Sequence, residues 1–338
     1  MELAYCRVTY LLGAPFRISR STDIEVEVVE VEVRHGGQVG YGEAQPQDHY
    51  GESVQSAVAA LESIRELIGD DPWAREAIEA RLAQIPGEMA AKAAVDAALH
   101  DLGGKLVGQP VWRLLGVPRT GPPTSWTIWL GDPDDMARRA ERATASGRFR
   151  RLKLKLGGRD GLDVDRVRAV RDQTELPLQV DVNEYWTIDE ALDAIPRLAA
   201  LDVEYVEQPL PAADPDGAEL KRRSPLPIYL DEDCHTLADV APCAERAHGI
   251  NIKLAKSGGI REAMRMVHAA RAMGLGVMIG CMVESGLGIA AGCPVASLCD
   301  HVDLDGNLLL ATDPWAGVDL VAGVQTPSER PGLGVSRV

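Results

Sequence analysis

Short apolar segments alternate with helical segments over residues 125–305, and this order constrains the fold more than any other feature of the sequence. The apolar segments are SWTIWL (125–130), RLKLKL (151–156), LQVDV (179–183), VEYVEQ (203–208), PIYLDE (227–232), INIKLA (250–255), GVMIGC (276–281) and HVDLD (301–305). Apolar runs of this length are typical of buried parallel strands. Eight strands separated by helices predict a (β/α)₈-type barrel. A doubly wound open sheet is less favoured, because no glycine-rich dinucleotide loop follows any strand.

The first third of the chain has a different pattern. Residues 24–33 alternate apolar and charged side chains, and a His-Gly-Gly turn at 35–37 predicts a hairpin. Helical patterns follow at 52–67, 74–84 and 88–106. We therefore predict an α+β domain over 1–117, a barrel over 118–315, and a segment over 316–338 that packs back on the first domain.

Charge and cysteine content exclude several classes of function. A net charge of −16 would repel nucleic acids and anionic membranes. The six cysteines do not have the spacing of a zinc site. No apolar run approaches the roughly 20 residues that span a bilayer, and the N-terminal residues do not resemble a secretory signal. We expect a cytoplasmic protein with reduced thiols.

Charged residues stand where five of the predicted strands end. They are Lys155 (preceded by Lys153), Asp181, Glu207, Asp231 and Lys253, at successive intervals of 26, 26, 24 and 22 residues. In a barrel of this type, the carboxyl ends of all strands meet at one face, where active sites assemble. The near-equal intervals therefore predict one functional side chain from each successive strand.

Three of these residues form a set of oxygen ligands. Asp181, Glu207 and Asp231 would repel one another if they converged without a cation. Carboxylate oxygens with water and substrate oxygens suit six-coordinate Mg²⁺, and the absence of His and Cys argues against zinc. We predict one Mg²⁺ per subunit.

Two of the lysines suit proton transfer at a carbon atom. A proton next to a carboxylate is weakly acidic, and its removal gives an enediolate whose charge a divalent cation stabilises. Lys155 and Lys253 lie on the second and sixth strands, which flank the barrel mouth. One lysine could remove the proton and the other could return it to the opposite face. This arrangement predicts racemisation or epimerisation.

Motifs along almost the whole chain resemble the muconate-lactonising-enzyme subgroup of the enolase superfamily. They are GYGEA (40–44), KAAVDAALHD (92–101), LKLKLG (152–157), DVN (181–183), VEQP (206–209), LDED (230–233), NIKLAKSGGI (251–260), GCMVESGLGIAAG (280–292) and RPGLGV (330–335). The resemblance implies a modified (β/α)₇β barrel, similar to a TIM barrel, with an N-terminal α+β capping domain.

The resemblance also implies roles for individual residues. Asp181, Glu207 and Asp231 correspond to the metal ligands, and Lys155 and Lys253 to the two acid/base groups. Lys153 would lie near the substrate carboxylate, and Lys256 is a less favoured acid/base candidate because it lies beyond the strand end. Glu232 and Asn183 would lie next to the metal ligands and the bases without binding the metal themselves.

A pair of aspartates distinguishes the chemistries of the subgroup. Asp303 and Asp305 stand at i and i+2 of the eighth predicted strand, so they should point to the same side. Two carboxylates without a metal suit an ammonium group, and the pair resembles the motif that binds the free amino terminus in dipeptide epimerases. We therefore expect a dipeptide substrate, inverted at the α-carbon of its C-terminal residue.

Two loops are expected to cover the site. Residues 14–23 resemble the family's capping loop, in which Arg17 or Arg20 could pair with a substrate carboxylate. Ser21 stands where the Ala-Glu epimerases carry an arginine, so a glutamate side chain in the substrate is not implied. The segment 45–53 offers His49 and Tyr50. Cys281, Met282 and Glu284, after the seventh strand, are expected to line the pocket.

Other functions remain open from the sequence. An N-acylamino-acid racemase or an o-succinylbenzoate synthase would use the same lysines and metal. An aldolase-type barrel could use Lys155 or Lys253 as a Schiff-base nucleophile, and a non-catalytic binding protein is a third class. The sequence also leaves open the dipeptide side chains and whether the chain forms a homo-oligomer.

Overall fold

Three antiparallel strands form the N-terminal sheet of the computed structural model, which describes all of residues 1–338. They are β1 (Glu2–Arg17), β2 (Thr22–His35) and β3 (Gln38–Ala44). The turn between β2 and β3 contains Gly36 and Gly37 at φ 57° and 76°, a left-handed conformation that glycine adopts without strain. The strand–turn–strand prediction for this region is confirmed.

Four helices follow this sheet: α1 (Val54–Leu67), α2 (Arg75–Leu82), α3 (Met89–Val107) and α4 (Val111–Leu114). The Ala-rich helix α3 packs directly on β3. A Cβ at Gly42 would lie only 1.9 Å from the carbonyl oxygen of Ala94, and one at Gly40 would lie 2.0 Å from that of Ala98. The glycines of the GYGEA motif therefore allow close contact between strand and helix.

Eight parallel strands form the central barrel, and neighbours in the sheet are neighbours in sequence. They are β4 (Trp126–Ile128), β5 (Leu152–Lys155), β6 (Leu178–Asp181), β7 (Val203–Glu207), β8 (Ile228–Leu230), β9 (Gly249–Lys253), β10 (Gly276–Gly280) and β11 (His301–Asp303). The sheet closes where the Ser125 amide donates to the Val302 carbonyl at 2.9 Å. The predicted barrel is thus confirmed, with an open sheet excluded.

Helices link each barrel strand to the next. They are α5 (Pro133–Ala145), α6 (Asp163–Arg171), α7 (Ile188–Ala199), α8 (Gly217–Arg223), α9 (Leu237–Arg246), α10 (Leu254–Ser257) with α11 (Ile260–Ala272), and α12 (Gly286–Ala296). No α-helix follows β11, so the order is (β/α)₇β, as the family resemblance implies.

The last part of the chain contacts both the barrel and the N-terminal domain. It contains β12 (Trp315–Ala316), the hairpin β13 (Val318–Val321) and β14 (Val324–Pro327), and β15 (Ser336–Arg337). Trp315 Nε1 donates to Glu30 at 3.0 Å, and the Leu333 amide donates to Asp101 at 2.7 Å. On the barrel side, Gln325 Nε2 donates to the Leu304 carbonyl at 2.7 Å.

Two segments differ from the sequence prediction. Strand β1 continues through Arg17 and β2 begins at Thr22, so the capping loop expected over 14–23 is reduced to residues 18–21. Strand β11 ends at Asp303 rather than at residue 305. In both places the strand ends where its backbone pairing with a neighbouring strand ends. The alternation of apolar and polar residues within one strand does not show where that pairing stops.

All six cysteines are free, and Cys6 alone is exposed. No helix combines the length and apolar content needed to cross a membrane.

Candidate active site

The carboxyl ends of five consecutive barrel strands carry the charged residues that the sequence singles out. Lys155, Asp181, Glu207 and Lys253 are the last residues of β5, β6, β7 and β9, and Asp231 follows β8 directly. The three carboxylate residues are fully buried. Because the strands are parallel and adjacent, their ends bring these side chains to one face of the barrel.

Each carboxylate has one oxygen held by a protein donor. The contacts are Asn183 N to Asp181 Oδ1 (2.9 Å), Asn251 Nδ2 to Glu207 Oε1 (2.7 Å) and Lys256 Nζ to Asp231 Oδ1 (2.5 Å). Asn183 has φ 48°, and asparagine tolerates this left-handed conformation better than most residues do. These donors leave one oxygen of each carboxylate for another partner.

The second oxygen of each carboxylate faces lysine ammonium groups. Lys153 Nζ lies 3.0 Å from Asp181 Oδ2 and 2.7 Å from Glu207 Oε2, and the latter contact lacks hydrogen-bond geometry. Lys155 Nζ donates to Asp181 Oδ2 at 2.6 Å. Lys253 Nζ donates to Asp231 Oδ2 at 2.7 Å. Each of these three buried oxygens belongs to a carboxylate whose other oxygen is held by a protein donor. Such a set fits a hard divalent cation that takes one oxygen from each residue.

The electrostatics of these carboxylates reflect their mutual proximity. Burial, with the negative charges of Asp181 and Asp231, raises the pKa of Glu207 to about 7. Burial would also raise the pKa of Asp181, but Lys153 and Lys155 together hold it below its ordinary value. Three acids that repel one another and are balanced only by lysines form a site that gains from a bound cation.

A second group of potential ligands lies nearby and forms an ion-pair network with Arg20. The ligand atoms of His49, Glu184 and Glu232 lie within 4.8 Å of one another. The Arg20 guanidinium donates to Glu232 Oε1 at 3.0 Å and lies 3.6 Å from Glu184 Oε2. His49 Nε2 lies 2.8 Å from the same Glu184 oxygen.

Lys155 and Lys253 lie on opposite sides of a single cavity of about 580 Å³. Their strands, β5 and β9, are four apart in a closed barrel of eight, and both residues are 8% exposed. Burial would lower the pKa of Lys253, but the Asp231 carboxylate raises it. The cavity can therefore place a substrate atom between two amines that approach from different sides.

Asp303 and Asp305 also line this cavity, although not for the reason expected from the sequence. Asp305 lies beyond the end of β11, so the alternation of a strand does not apply to the pair. Asp303 Oδ2 accepts from Lys153 at 2.7 Å, while its Oδ1 is buried with no donor. Asp305 Oδ2 accepts from the Thr127 amide at 2.7 Å. Burial and the Asp303 charge raise the pKa of Asp305 to about 7.

The remaining predicted residues occupy different positions around the cavity. Cys281 and Met282 line it, as does Arg20, but Arg17 does not. Both terminal nitrogens of Arg20 donate to Glu232 Oε1 at 3.0 Å, so the guanidinium is held beside Glu232. Asn183 Nδ2 reaches the same Glu232 oxygen at 3.3 Å, which places both residues beside the carboxylates.

Two contributors were missed or undervalued in the sequence. Asn251 stands two residues before Lys253, so both lie on the same side of β9, and this spacing could have indicated it. Lys256 is buried and does not line the 580 Å³ cavity. It contacts Asp231 instead of the space available to a substrate.

Comparisons with known proteins cover almost the whole chain. Residues 2–116 match the family model of the mandelate racemase / muconate lactonizing enzyme N-terminal domain, and residues 135–337 match the enolase C-terminal domain-like model. An L-Ala-D/L-Glu epimerase from Bacteroides thetaiotaomicron is 40% identical, over 100% of this chain and 88% of the relative.

Two solved structures are also similar. A dipeptide epimerase from Enterococcus faecalis, complexed with Mg and the dipeptide L-Leu-L-Tyr, has a TM-score of 0.94 and 32% identity over 99% of both chains. An N-succinyl Arg/Lys racemase from Bacillus cereus has a TM-score of 0.92 and 30% identity, covering 100% of this chain and 96% of that one.

Proposed function

The chain belongs to the mandelate racemase / muconate lactonizing enzyme family of the enolase superfamily, and we propose that it is a Mg²⁺-dependent dipeptide epimerase. One observation carries the proposal: two lysines from opposite strands enter one cavity beside three buried carboxylates. The family resemblance assigns acid/base roles to the same two lysines.

The proposed reaction inverts the α-carbon of the C-terminal residue of a dipeptide. One amine, from Lys155 or Lys253, takes the α-proton, and the ammonium on the other side returns a proton to the opposite face. The roles exchange in the reverse direction, so no other reactant is consumed.

The carboxylates of Asp181, Glu207 and Asp231 would hold one Mg²⁺ per subunit. When bound, the ion supplies positive charge that stabilises the second negative charge developing on the substrate carboxylate. Lys153, which contacts Asp181, Glu207 and Asp303, adds a further fixed positive charge on the same side of the barrel.

The dipeptide assignment depends on the aspartate pair. Asp303 Oδ1 is a buried acceptor without a donor, which is costly unless a ligand satisfies it. The free ammonium of a dipeptide would donate to it, and Asp305 offers a further oxygen acceptor nearby. An N-succinylamino acid carries no ammonium there and brings a carboxylate that Asp303 would repel.

The N-acylamino-acid racemase alternative is favoured by the likeness to the Bacillus cereus racemase. It would use the same lysines and the same metal. The two candidates differ only in the group that lies next to Asp303 and Asp305.

A single screen separates the candidates. The protein is incubated in D₂O with a library of free dipeptides or with N-succinylamino acids, in Mg²⁺ or in EDTA. Mass spectrometry then records deuterium at the C-terminal α-carbon. We expect exchange in dipeptides only, and only with Mg²⁺. Exchange confined to N-succinyl compounds would replace the dipeptide proposal, and full exchange in EDTA would contradict the metal site.

A further inference from the structure

Lys256 has an unusual environment for a lysine three residues from a proposed acid/base group. It lies in the short helix α10, directly after β9, and is 2% exposed. Its Nζ donates to Asp231 Oδ1 at 2.5 Å, to the Cys234 carbonyl at 2.9 Å and to the Asn251 carbonyl at 3.2 Å, and it also contacts the Asp231 carbonyl at 2.5 Å.

All four of these neighbours are oxygen acceptors. An ammonium group has three hydrogens and no lone pair, so it matches a shell made only of acceptors, whereas a neutral amine would direct a lone pair at an oxygen. Burying a cation costs free energy unless such partners are present. The acceptors belong to Asp231 at the end of β8, to Cys234 in the segment after it, and to Asn251 of β9. The Lys256 side chain therefore connects two neighbouring strands.

The two lysines that share Asp231 contact different oxygens. Lys253 contacts Oδ2 and lines the 580 Å³ cavity, whereas Lys256 contacts Oδ1 and does not line it. Lys256 lines a smaller adjoining cavity of about 140 Å³ instead, and its Nζ is surrounded by protein oxygens. The contact with Asp231 is therefore its link to the proposed metal site.

We propose that Lys256 is a positioning residue: it holds Oδ1 of Asp231 so that this carboxylate offers only Oδ2 to the metal ion. The proposal rests on the metal site of the proposed function. Asn183 holds Oδ1 of Asp181, and Asn251 holds Oε1 of Glu207, in the same way. Lys256 is the charged member of this set of donors.

The experiment compares Lys256→Met with the wild-type protein and with a matched control. Methionine keeps the apolar stem but removes the donors, so the Asp231 side chain becomes free to turn toward Lys253. The control is Lys105→Met. Lys105 also donates to a carboxylate (Asp101, 2.6 Å) and to a carbonyl (Val39, 2.8 Å), but it lies in the N-terminal domain.

Two measurements do not depend on turnover. Calorimetric titration gives the Kd for Mg²⁺, and the electron paramagnetic resonance spectrum of bound Mn²⁺ reports the symmetry of its ligands. For Lys256→Met we expect Mg²⁺ binding weakened by about 10- to 100-fold, the range typical for loss of a residue behind a metal ligand, with an altered Mn²⁺ spectrum. Lys105→Met should match the wild type in both, and Lys256→Arg, which keeps charge and donors, should recover part of the affinity.

Near-UV circular dichroism establishes that each variant is folded. If Lys256→Met does not fold, Lys256→Gln, which keeps one donor, takes its place. Failure of all Lys256 variants to fold would overturn the proposal, since the lysine would then be a requirement of the barrel itself. Lost epimerisation with unchanged metal affinity and spectrum would also overturn it, because Lys256 would then act in proton transfer. If the wild type binds neither Mg²⁺ nor Mn²⁺, the proposed function fails as well. If the wild type binds both and Lys256→Met binds them with the same Kd and spectrum, only the role of Lys256 fails.

Discussion

The two walls of the active-site cavity are built differently. The barrel wall presents Lys155, Lys253, Asp303 and Asp305, each less than 10% exposed and placed at or just beyond the end of a strand. The opposite wall comes from β1, β2 and the loops next to them. Several of its charged side chains, such as Glu27, are solvent-exposed.

This difference separates chemistry from selectivity. Groups held by buried ion pairs keep a fixed geometry, which proton transfer at one carbon atom requires. Exposed side chains on a neighbouring domain can change without disturbing that geometry. The barrel wall should therefore determine the reaction, and the wall of the N-terminal domain should determine which side chains are accepted.

The largest effect should come from the two lysines of the barrel wall. Lys155→Ala and Lys253→Ala should each slow epimerisation by about 10³-fold or more, because general acid/base catalysis contributes 10²- to 10⁴-fold and no second amine lines either flank. Chiral chromatography measures the interconversion, and deuterium incorporation measures proton removal alone. One variant should retain exchange from a single epimer.

A control lysine outside the cavity tests this expectation. Lys221 in α8 donates to the Ala244 carbonyl at 2.7 Å on the outside of the barrel, so Lys221→Ala should keep the wild-type rate. If both lysine variants of the cavity kept that rate too, the barrel wall would not determine the chemistry.

An intermediate effect is expected at Asp303, which ties the barrel wall to the substrate amine. In Asp303→Asn, the inhibition constant of a free dipeptide should rise by about 10- to 100-fold relative to that of its N-acetylated form, in line with the free energy of a hydrogen bond to a charged group. The substitution also changes the contact of Asp303 with Lys153, but this change affects both ligands equally and cancels in the ratio of the two inhibition constants. An unchanged ratio would show that the ammonium is bound elsewhere.

The smallest effect on the reaction should appear where the two walls meet, and the prediction there concerns stability. Glu43 of β3 accepts from the Ser285 amide at 2.8 Å and from the Tyr10 hydroxyl at 3.0 Å, and burial raises its pKa to about 7. Because the pKa of Glu43 is higher in the folded than in the unfolded protein, the free energy of unfolding is larger when Glu43 is protonated. This contribution is complete below about pH 4.5 and is lost as the pH rises to about 7.

Denaturant unfolding of the wild type and Glu43→Gln across pH 4–8 measures that contribution. The free energy of unfolding of the wild type, relative to the variant, should fall by about 3 kcal/mol over this range, since a difference of one in pKa corresponds to about 1.4 kcal/mol. A flat difference would mean that Glu43 ionises normally in the folded protein.

Much of the fold was predictable because its signals are local. The barrel segment predicted over 203–208 is observed as β7 (Val203–Glu207), and the helix predicted over 88–106 is observed as α3 (Met89–Val107). Apolar runs and helix-start residues act within a few positions of one another, so the sequence alone reports them. The predicted ends of β1 and β11 were wrong, because these ends depend on pairing with strands that are distant in sequence.

The candidate site was predictable to a similar depth. The strand ends placed Asp181, Glu207 and Lys253 at one face, since parallel strands share a direction. The engagement of Arg20 by Glu232, 212 residues away, has no local signal. The same is true of the donor-free oxygen of Asp303, because neighbours from other strands determine which polar atoms are satisfied.

The sequence by itself determined the barrel, the order of its charged strand ends, and the presence of two lysines on opposite strands. Only the tertiary structure decided which oxygen of each carboxylate is bound by Asn183, Asn251 or Lys256, and which of Lys253 and Lys256 lines the 580 Å³ cavity. The reason is that a residue's identity and strand position are encoded locally. The direction of its side chain depends on partners that are adjacent only after the chain has closed into a barrel.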